Sequence, residues 1–253
     1  MSKNNFLFLH IPKTAGLSVI SGFQNISENN SNINLYRSSP KGTVRNFSTK
    51  YFSNIDLEKD KNILTGHFVF SEHCKKFKTF SIIRETLDLF ISNLYYQYKQ
   101  AFLINKLNTE NIYLIQKKFK LDLNFTQNDL SIIKKLLENN YLVSNTITKT
   151  LAGIPFEKFF FVSKDHKINN LDYQKALENL EHFSYIGNTE DTDRFLKNFI
   201  RHMNINSVNY KNVNIFKKDQ NLVNLIKHNL KDKIYNYNHY DIKILEVIKN
   251  KFN

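Results

Sequence analysis

Short apolar runs alternate along the chain with longer segments in which apolar residues recur every three or four positions. The short runs, rich in Phe, Ile and Leu, predict buried strands at 5–10, 62–65, 77–83, 158–163 and 183–187. The longer segments predict amphipathic helices at 85–102, 129–138, 142–151, 173–180 and 191–203. A helix is also expected to start at residue 18, and two Lys-rich helices are expected after residue 220. Residues 26–50, rich in Asn, Ser and Gly, are predicted to be mostly loop.

Strands that alternate with helices predict a parallel sheet covered by helices on both faces. The chain of 253 residues is long enough for one α/β domain with a full core, and no linker or repeat divides it. We therefore expect a single domain over residues 1–253. The helical segments around 103–150 are an extra helical part, which could lie over the sheet.

Composition limits the classes of protein to which the chain can belong. Hydrophobic residues make up 41% of it, which is too high for a disordered chain. No apolar stretch approaches the roughly 20 residues of a membrane span, and the run 6–9 is too short for the core of a signal peptide. We expect a soluble, cytoplasmic protein. Cys74 is the only cysteine, which excludes an intrachain disulfide and metal sites built from several thiolates.

The chain carries 36 basic and 23 acidic side chains, which give a net charge of +13 with histidine neutral. A basic surface attracts polyanions such as nucleotides, nucleic acids, acidic glycans and anionic membranes. The same excess also fits a well-solvated lysine surface. Net charge therefore names no partner by itself.

Residues 10–18 read HIPKTAGLS and connect the first predicted strand with the helix that follows it. Pro12 and Gly16 would shape a tight turn, in which backbone N–H groups and the start of the helix face an anion. Lys13 adds a positive charge and Thr14 adds a hydroxyl donor. The spacing of a Walker A loop is absent, which argues against a nucleotide-dependent kinase. This loop is the first candidate phosphate site.

A second candidate phosphate site begins where the strand predicted at 77–83 ends in Arg84. Arginine suits phosphate because its guanidinium offers two parallel, charge-assisted hydrogen bonds. Ser92 lies about two turns into the next predicted helix, so its hydroxyl and Arg84 could share one phosphate.

His67 follows the strand predicted at 62–65 and is the candidate general base. A neutral histidine, with an ordinary pKa of about 6.5, can accept a proton near pH 7. A purely structural histidine is the alternative, and His73 and Glu72 are reserve candidates for the base. His10, at the end of a buried strand, is expected mainly to pack.

Together these elements resemble the sulfotransferases that use 3′-phosphoadenosine 5′-phosphosulfate (PAPS). Residues 10–18 resemble the loop that binds the 5′-phosphosulfate, most closely in the carbohydrate branch that includes heparan sulfate 2-O-sulfotransferases and bacterial relatives. Residues 84–92 resemble part of the 3′-phosphate element, and the pair 66–67 resembles the element that carries the base in that branch. The chain departs from the family at Leu17, where threonine is usual, and at Leu89, where a second arginine is usual.

The segment 145–153 resembles a further family segment, in which Lys149 occupies the position of an arginine. This implies a contact of Lys149 with the nucleotide or with an acidic acceptor. An ordinary solvated helix lysine is the alternative interpretation.

The resemblance implies a P-loop-type three-layer fold, with a central parallel sheet flanked by helices. It implies a bacterial-type sulfotransferase that moves a sulfuryl group from PAPS to a hydroxyl, with a carbohydrate as the expected acceptor and no metal. His67 would be the base, and Lys13 would neutralise charge on the leaving phosphate. Contacts with PAPS are implied for residues of the loop and of the later elements: Pro12, Lys13, Thr14, Ala15, Gly16, Leu17, Ser18, Arg84, Ser92 and Lys149.

Three other interpretations stay open. One is a nucleotide-dependent kinase of related fold, and a second is a non-catalytic polyanion-binding protein that uses the net positive charge. A third is an inactive sulfotransferase-like protein, because Leu17 and Leu89 depart from the family pattern. In the sulfotransferase interpretation the partners are the nucleotide donor and a saccharide or other hydroxyl acceptor, with no nucleic acid and no membrane span.

Overall fold

A computed structural model of the chain describes residues 4–37, 61–95, 129–138, 142–159, 166–205 and 220–252. Within these ranges the central sheet has five parallel strands: Asn4–Leu9 (β1), Ile33–Arg37 (β2), Lys61–Gly66 (β3), Lys78–Ile83 (β4) and Phe183–Asn188 (β5). Their order across the sheet is β2-β3-β1-β4-β5. The predicted parallel sheet is confirmed, with β1 at its centre.

The α-helices of the described ranges are Gly16–Glu28 (α1), Thr86–Leu94 (α2), Asp129–Glu138 (α3), Thr146–Leu151 (α4), Asn170–Leu180 (α5), Thr192–Met203 (α6), Gln220–Asn229 (α7), Lys231–Tyr237 (α8) and His239–Phe252 (α9). Short 3-10 turns occupy Glu72–Lys76, Phe156–Lys158 and Thr189–Asp191. None of the described helices is both long enough and apolar enough to cross a membrane.

Strand β1 is buried on both faces, and its alternating side chains belong to two separate clusters. Phe6 and Phe8 pack on the side covered by α1 and α6. Leu7 and Leu9 pack on the opposite side, which α4, α5 and α9 cover. The alternation arises because successive side chains of a strand point to opposite faces of the sheet. The sheet is therefore the middle layer between two layers of helices, as predicted.

A further apolar cluster joins α2, α3, α7 and α8, with Phe90, Ile133 and Ile234 among its buried members. Helix α3 belongs to the extra helical part predicted around 103–150. Helix α4, from the same part of the chain, covers the sheet instead. Residues 103–128 lie outside the described residues.

The loop predicted over 26–50 is wrong in its described part, because α1 continues into it and β2 lies within it. Ile26 and Ile33 are buried in the cluster on the α1 side of the sheet. This burial outweighs the turn preference of the Asn and Ser residues around them. Residues 38–50 lie outside the described residues.

Two other predicted elements begin differently from expectation. The helix predicted at 142–151 begins only with α4, because Asn145 has a positive φ of 44° that no helix accommodates. The strand predicted at 158–163 is wrong at its first residue, where the 3-10 turn Phe156–Lys158 ends. Residues 160–163 lie outside the described residues.

The C-terminal part forms the three helices α7, α8 and α9 in place of the two predicted after residue 220. The chain leaves helical geometry at Asn238, whose side-chain Nδ2 donates to the oxygen of Ile234 over 2.8 Å. Asparagine is suited to such breaks because its side chain competes for backbone groups. The predicted helix 85–102 is present as α2, and residues 96–102 lie outside the described residues.

Candidate functional site

The sheet has a topological switch point at the carboxyl ends of β1 and β4, which are adjacent parallel strands. The chain leaves β1 towards β2 on one side of the sheet and leaves β4 towards β5 on the other side. Connections that part in this way leave a crevice at the carboxyl edge, where α/β proteins bind ligands. The loop 10–15 follows β1 and Arg84 follows β4, so both candidate phosphate elements meet at this crevice.

The backbone of the loop alternates between two conformations. Lys13 and Ala15 have positive φ values of 68° and 54°, whereas Thr14 and Gly16 do not. Alternation of this kind turns successive N–H groups toward one concave side, which is the geometry of backbone anion sites. A non-glycine residue in this region is strained by about 1–3 kcal/mol, and such strain is concentrated at functional sites.

Thr14 stabilises the loop through a buried hydrogen bond within it. Its buried Oγ1 donates to the backbone oxygen of Ile11 over 2.8 Å, and Ala15 is then the N-cap residue of α1. The partial positive charge at the start of α1 lies at the same end of the loop. The Thr14 hydroxyl, expected to hold the phosphosulfate, is therefore committed to the loop itself.

Three residues of the segment 12–18 form the outer surface of the loop and of the start of α1. Lys13 and Ala15 are partly exposed, and Leu17 is 44% exposed. The remaining residues of 12–18 are buried beneath them. An anion on this surface would contact the Lys13 side chain and backbone N–H groups, with the apolar Leu17 side chain beside it.

Lys13 and Arg84 bring two positive charges together at the crevice. Arg84 Nη1 donates to the backbone oxygen of Lys13 over 3.3 Å. Burial lowers the pKa of the Lys13 ammonium, and the charge of Arg84 lowers it further. Burial also lowers the pKa of Arg84, while Asp88 and Glu190 oppose that change. Two cations held close in a partly buried site gain most from a bound anion.

His67 directly follows β3 and lies one strand away from the loop. Its Nδ1 is 2.9 Å from the backbone oxygen of His10. A carbonyl oxygen only accepts, so Nδ1 carries the proton and Nε2 has the free lone pair in the neutral ring. Burial lowers the pKa of His67, and the charge of Lys13 adds to this, although the bond to His10 opposes it. The ring is therefore a neutral base at pH 7.

The reserve candidates lie on the 3-10 turn Glu72–Lys76. The exposed Glu72 carboxylate pairs with Lys75 over 2.8 Å. The hydrogen bond from Lys75 lowers the pKa of Glu72, which makes this carboxylate a weaker base. His73 is partly exposed on the same turn. The tautomer and burial of His67 make it a better candidate for a general base than Glu72.

The two remaining candidates are buried on the helices α2 and α4. Ser92 is buried on α2, the helix that begins just after Arg84. Lys149 is fully buried on α4, and its Nζ donates to the backbone oxygen of Ser144 over 2.7 Å and lies 5.3 Å from the centre of the Phe159 ring. Lys149 is thus neither a solvated lysine nor accessible to a ligand in this conformation.

The contact of the segment around Lys149 with Asp241 was not predicted from the sequence. Asp241, 1% exposed on α9, accepts hydrogen bonds from the backbone N–H groups of Ile147 and Thr148, over 3.2 and 2.8 Å. The Thr148 hydroxyl donates to the same carboxylate over 2.8 Å. Burial raises the pKa of Asp241 to about 6, although the bonds from Thr148 and Ile147 oppose this.

The contact is reciprocal, because Asn145 caps the start of α9 in return. Its Oδ1 accepts from the N–H groups of Tyr240 and Asp241 over 3.0 and 3.1 Å. The N–H of Asn145 donates to Asn238 Oδ1 over 2.8 Å. Each helix start therefore receives its acceptors from the other segment. Asn and Asp near a predicted helix start are the sequence signal that could have indicated these caps.

Among the residues that the structure describes, no group of three or more His, Cys, Asp and Glu side chains is arranged to hold a metal ion. Comparison of the sequence with models of known protein families gives no match, and comparison with curated proteins gives none either. The chemistry of the crevice is therefore the basis for a functional interpretation.

Proposed function

We propose that the chain is a PAPS-dependent sulfotransferase, which transfers a sulfuryl group to a hydroxyl of an acceptor, with a carbohydrate as the expected class. The observation that carries this proposal is the convergence of Lys13, Arg84 and His67 on one crevice. A P-loop-type identity of the three-layer fold is part of the same proposal. The strand order and the loop 10–15 after the central strand, the proposed phosphate loop, support it.

The residues at the crevice fit a nucleotide with anionic groups at both ends. The 5′-phosphosulfate would lie on the loop, where backbone N–H groups and Lys13 face it. The 3′-phosphate would lie towards Arg84 and the α2 side, where Ser92 is the nearby hydroxyl candidate. Arg84 can bind phosphate with its remaining N–H groups while Nη1 keeps its bond to Lys13.

The reaction is an in-line displacement at sulfur. The acceptor oxygen forms a bond to sulfur while the bond between sulfur and the 5′-phosphate oxygen breaks. The acceptor proton moves to Nε2 of His67, and the electron pair of the broken bond stays on the phosphate oxygen. The products are the sulfated acceptor and 3′-phosphoadenosine 5′-phosphate (PAP), with His67 protonated.

Lys13 would stabilise the charge that grows on the departing phosphate oxygen. This is transition-state stabilisation by a group that is already in place, as in phosphoryl transfer. Because burial and Arg84 both lower the pKa of Lys13, the ammonium gains more from added negative charge than an exposed lysine would.

Calorimetry with PAP, adenosine 5′-phosphate and ATP tests the nucleotide part of the proposal. We expect micromolar binding of PAP that depends on the 3′-phosphate and is lost in Arg84→Ala. Arg201→Ala is the matched control, because Arg201 is exposed near the end of α6. That end lies at the opposite edge of the sheet, where Asn204 O accepts from Lys61 Nζ over 3.5 Å.

Other outcomes of the same titration would overturn the proposal. Preference for ATP with Mg²⁺ would favour a kinase. Absence of nucleotide binding, with strongly salt-dependent binding of polyanions, would favour a non-catalytic binder. Release of PAP from PAPS in the presence of candidate saccharides then tests catalysis, and His67→Ala should slow that release strongly without loss of PAP binding.

A further inference from the structure

Both backbone groups of His10 form hydrogen bonds, one with Gly66 and one with His67, the proposed base. Its N–H donates to the oxygen of Gly66 over 3.0 Å. Its own oxygen accepts the bond from His67 Nδ1 over 2.9 Å. The residue that follows β1 therefore fixes both the position and the tautomer of the residue that follows β3.

The side chain of His10 lies between the base and the phosphate loop. Its ring stacks on the His67 ring, with the centroids 4.0 Å apart and the planes inclined by 28°. A second stacked neighbour is Phe8, at 5.9 Å. The edge of the His10 ring meets Gly16, where a Cβ atom would lie only 1.8 Å from His10 Nε2. A single buried ring thus touches the start of α1 and the face of His67.

We propose that His10 is a positioning residue, which holds the His67 ring at a fixed distance from the phosphate loop and supports the positive charge that this ring gains from the acceptor proton. The inference rests on the proposed sulfuryl transfer, in which His67 is the base. It assigns to His10 a role beyond simple packing.

The electrostatic surroundings of His10 keep its ring neutral. Burial lowers its pKa well below the usual range for histidine, and His67, Lys13 and Arg37 add to this because each is or becomes positive. Arg37 ends β2 and Lys13 lies in the loop, so positive groups from two different elements act on the His10 ring, in addition to His67. A neutral aromatic ring stacked on a cation is attractive, whereas a second imidazolium would repel it.

This arrangement matters because Lys13 disfavours the protonation of His67. Repulsion from Lys13 makes the His67 ring harder to protonate, which makes it a weaker base. The neutral His10 ring stacked on His67 offsets part of this repulsion. The same ring leaves no room for a side chain at position 16. The distance between the base and the anion site is therefore set by one rigid, flat group.

Two variants of similar bulk separate positioning from packing. His10→Phe keeps a flat ring with a π face, whereas His10→Leu keeps an apolar side chain without one. We expect kcat to fall by about tenfold in His10→Leu and to stay within about twofold of wild type in His10→Phe. The affinity for PAP should change little in either variant, which shows that the loop is intact.

The decisive readout is the titration of His67 in the substrate-free protein, followed by NMR of its ring protons. In His10→Leu we expect the pKa of His67 to move down, and the acid limb of the kcat profile to move with it, while His10→Phe restores both. An unchanged His67 titration in His10→Leu would overturn the inference.

The same NMR titration of the wild-type protein is a second test, which does not depend on the folding of any variant. We expect His67 to titrate while His10 stays neutral over the same pH range. Titration of His10 before His67 would contradict the proposed role. Failure of the proposed function would appear separately, as absence of PAP binding in calorimetry, because the NMR titrations need no nucleotide.

Discussion

Arg84 donates a hydrogen bond to the backbone oxygen of Lys13 over 3.3 Å, although 71 positions separate the two residues. The bond joins the end of β4 to the loop after β1, so the two candidate phosphate elements form one unit. Part of the Arg84 guanidinium holds the loop, and in the proposed function its remaining N–H groups bind a phosphate. The loop and the arginine should therefore respond together to substitution.

Replacement of Arg84 by lysine should weaken PAP binding although the charge is kept. An ammonium lacks the planar fork, so it cannot hold Lys13 O and also bind a phosphate in bidentate fashion. We expect about tenfold weaker binding of PAP by calorimetry. Arg201→Lys is the control and should leave the affinity unchanged. Equal affinities of Arg84→Lys and wild type would show that charge alone matters.

Replacement of Gly16 by alanine should disrupt the loop. The new Cβ would lie 1.8 Å from His10 Nε2, so the ring or the loop has to move. We expect a loss of stability of about 1–3 kcal/mol in urea unfolding, with loss of PAP binding. The double variant Gly16→Ala, His10→Ala removes the clash. It should recover part of the stability, and strict additivity of the two effects would contradict the close contact.

The proposed sulfotransferase activity should depend on pH through His67. Only the neutral ring can accept the acceptor proton, and burial lowers the pKa of this ring. We therefore expect kcat to fall as the pH decreases through a value below the ordinary pKa of about 6.5, and to be level at pH 7. His67→Ala should lower kcat by about 10²–10⁴-fold with PAP affinity retained. An acid limb above pH 7 would argue against His67 as the base.

Asp241 should make stability depend on pH. Its pKa rises from 3.8 to about 6 in the folded protein, so the folded state holds this proton more tightly than the unfolded chain does. The contribution of this carboxyl to the unfolding free energy is largest below about pH 4 and decreases by roughly 3 kcal/mol as the pH rises to about 6. Urea unfolding at a series of pH values measures this slope.

In Asp241→Asn that part of the slope should disappear. The variant should also lose stability at all pH values, because the amide nitrogen replaces an acceptor that faces N–H groups. Asp193→Asn, at an exposed position of α6, should keep the wild-type slope. A slope that persists in Asp241→Asn would assign the pH dependence to another group.

Local pattern predicted the sheet and the convergence of the candidate residues at one edge of it, because both follow from short-range signals. Apolar runs mark β1, β3, β4 and β5, and the carboxyl ends of parallel strands necessarily share one edge. Lys13, His67 and Arg84 each follow a strand, so their convergence at that edge could be expected from the amino-acid pattern alone. Strand β2 was missed because Asn and Ser surround its few apolar residues.

The contacts that refine the site could not be predicted, because they depend on packing between distant segments. The stack of His10 on His67 needs the register of β1 with β3, in which Leu9 lies opposite Gly66. Lys149 is buried on α4, and α4 is held by Asp241 of α9. The sequence of α9 showed only a Lys-, Ile- and Leu-rich helix pattern and gave no sign of this partner. Helix periodicity marks the face that is buried but not the segment that covers it.

The reciprocal caps between α4 and α9 have a consequence for synthesis of the chain. Thr148 leaves the ribosome 93 residues before Asp241, its capping partner. At 5–20 residues per second this delay is roughly 5–20 seconds. Until then the start of α4 has no acceptor from α9. Helix α4 also contacts the segment that follows β3 and His67, because Phe70 N donates to Thr150 O over 2.9 Å. The caps between α4 and α9 therefore form only after all five described strands of the sheet have been made.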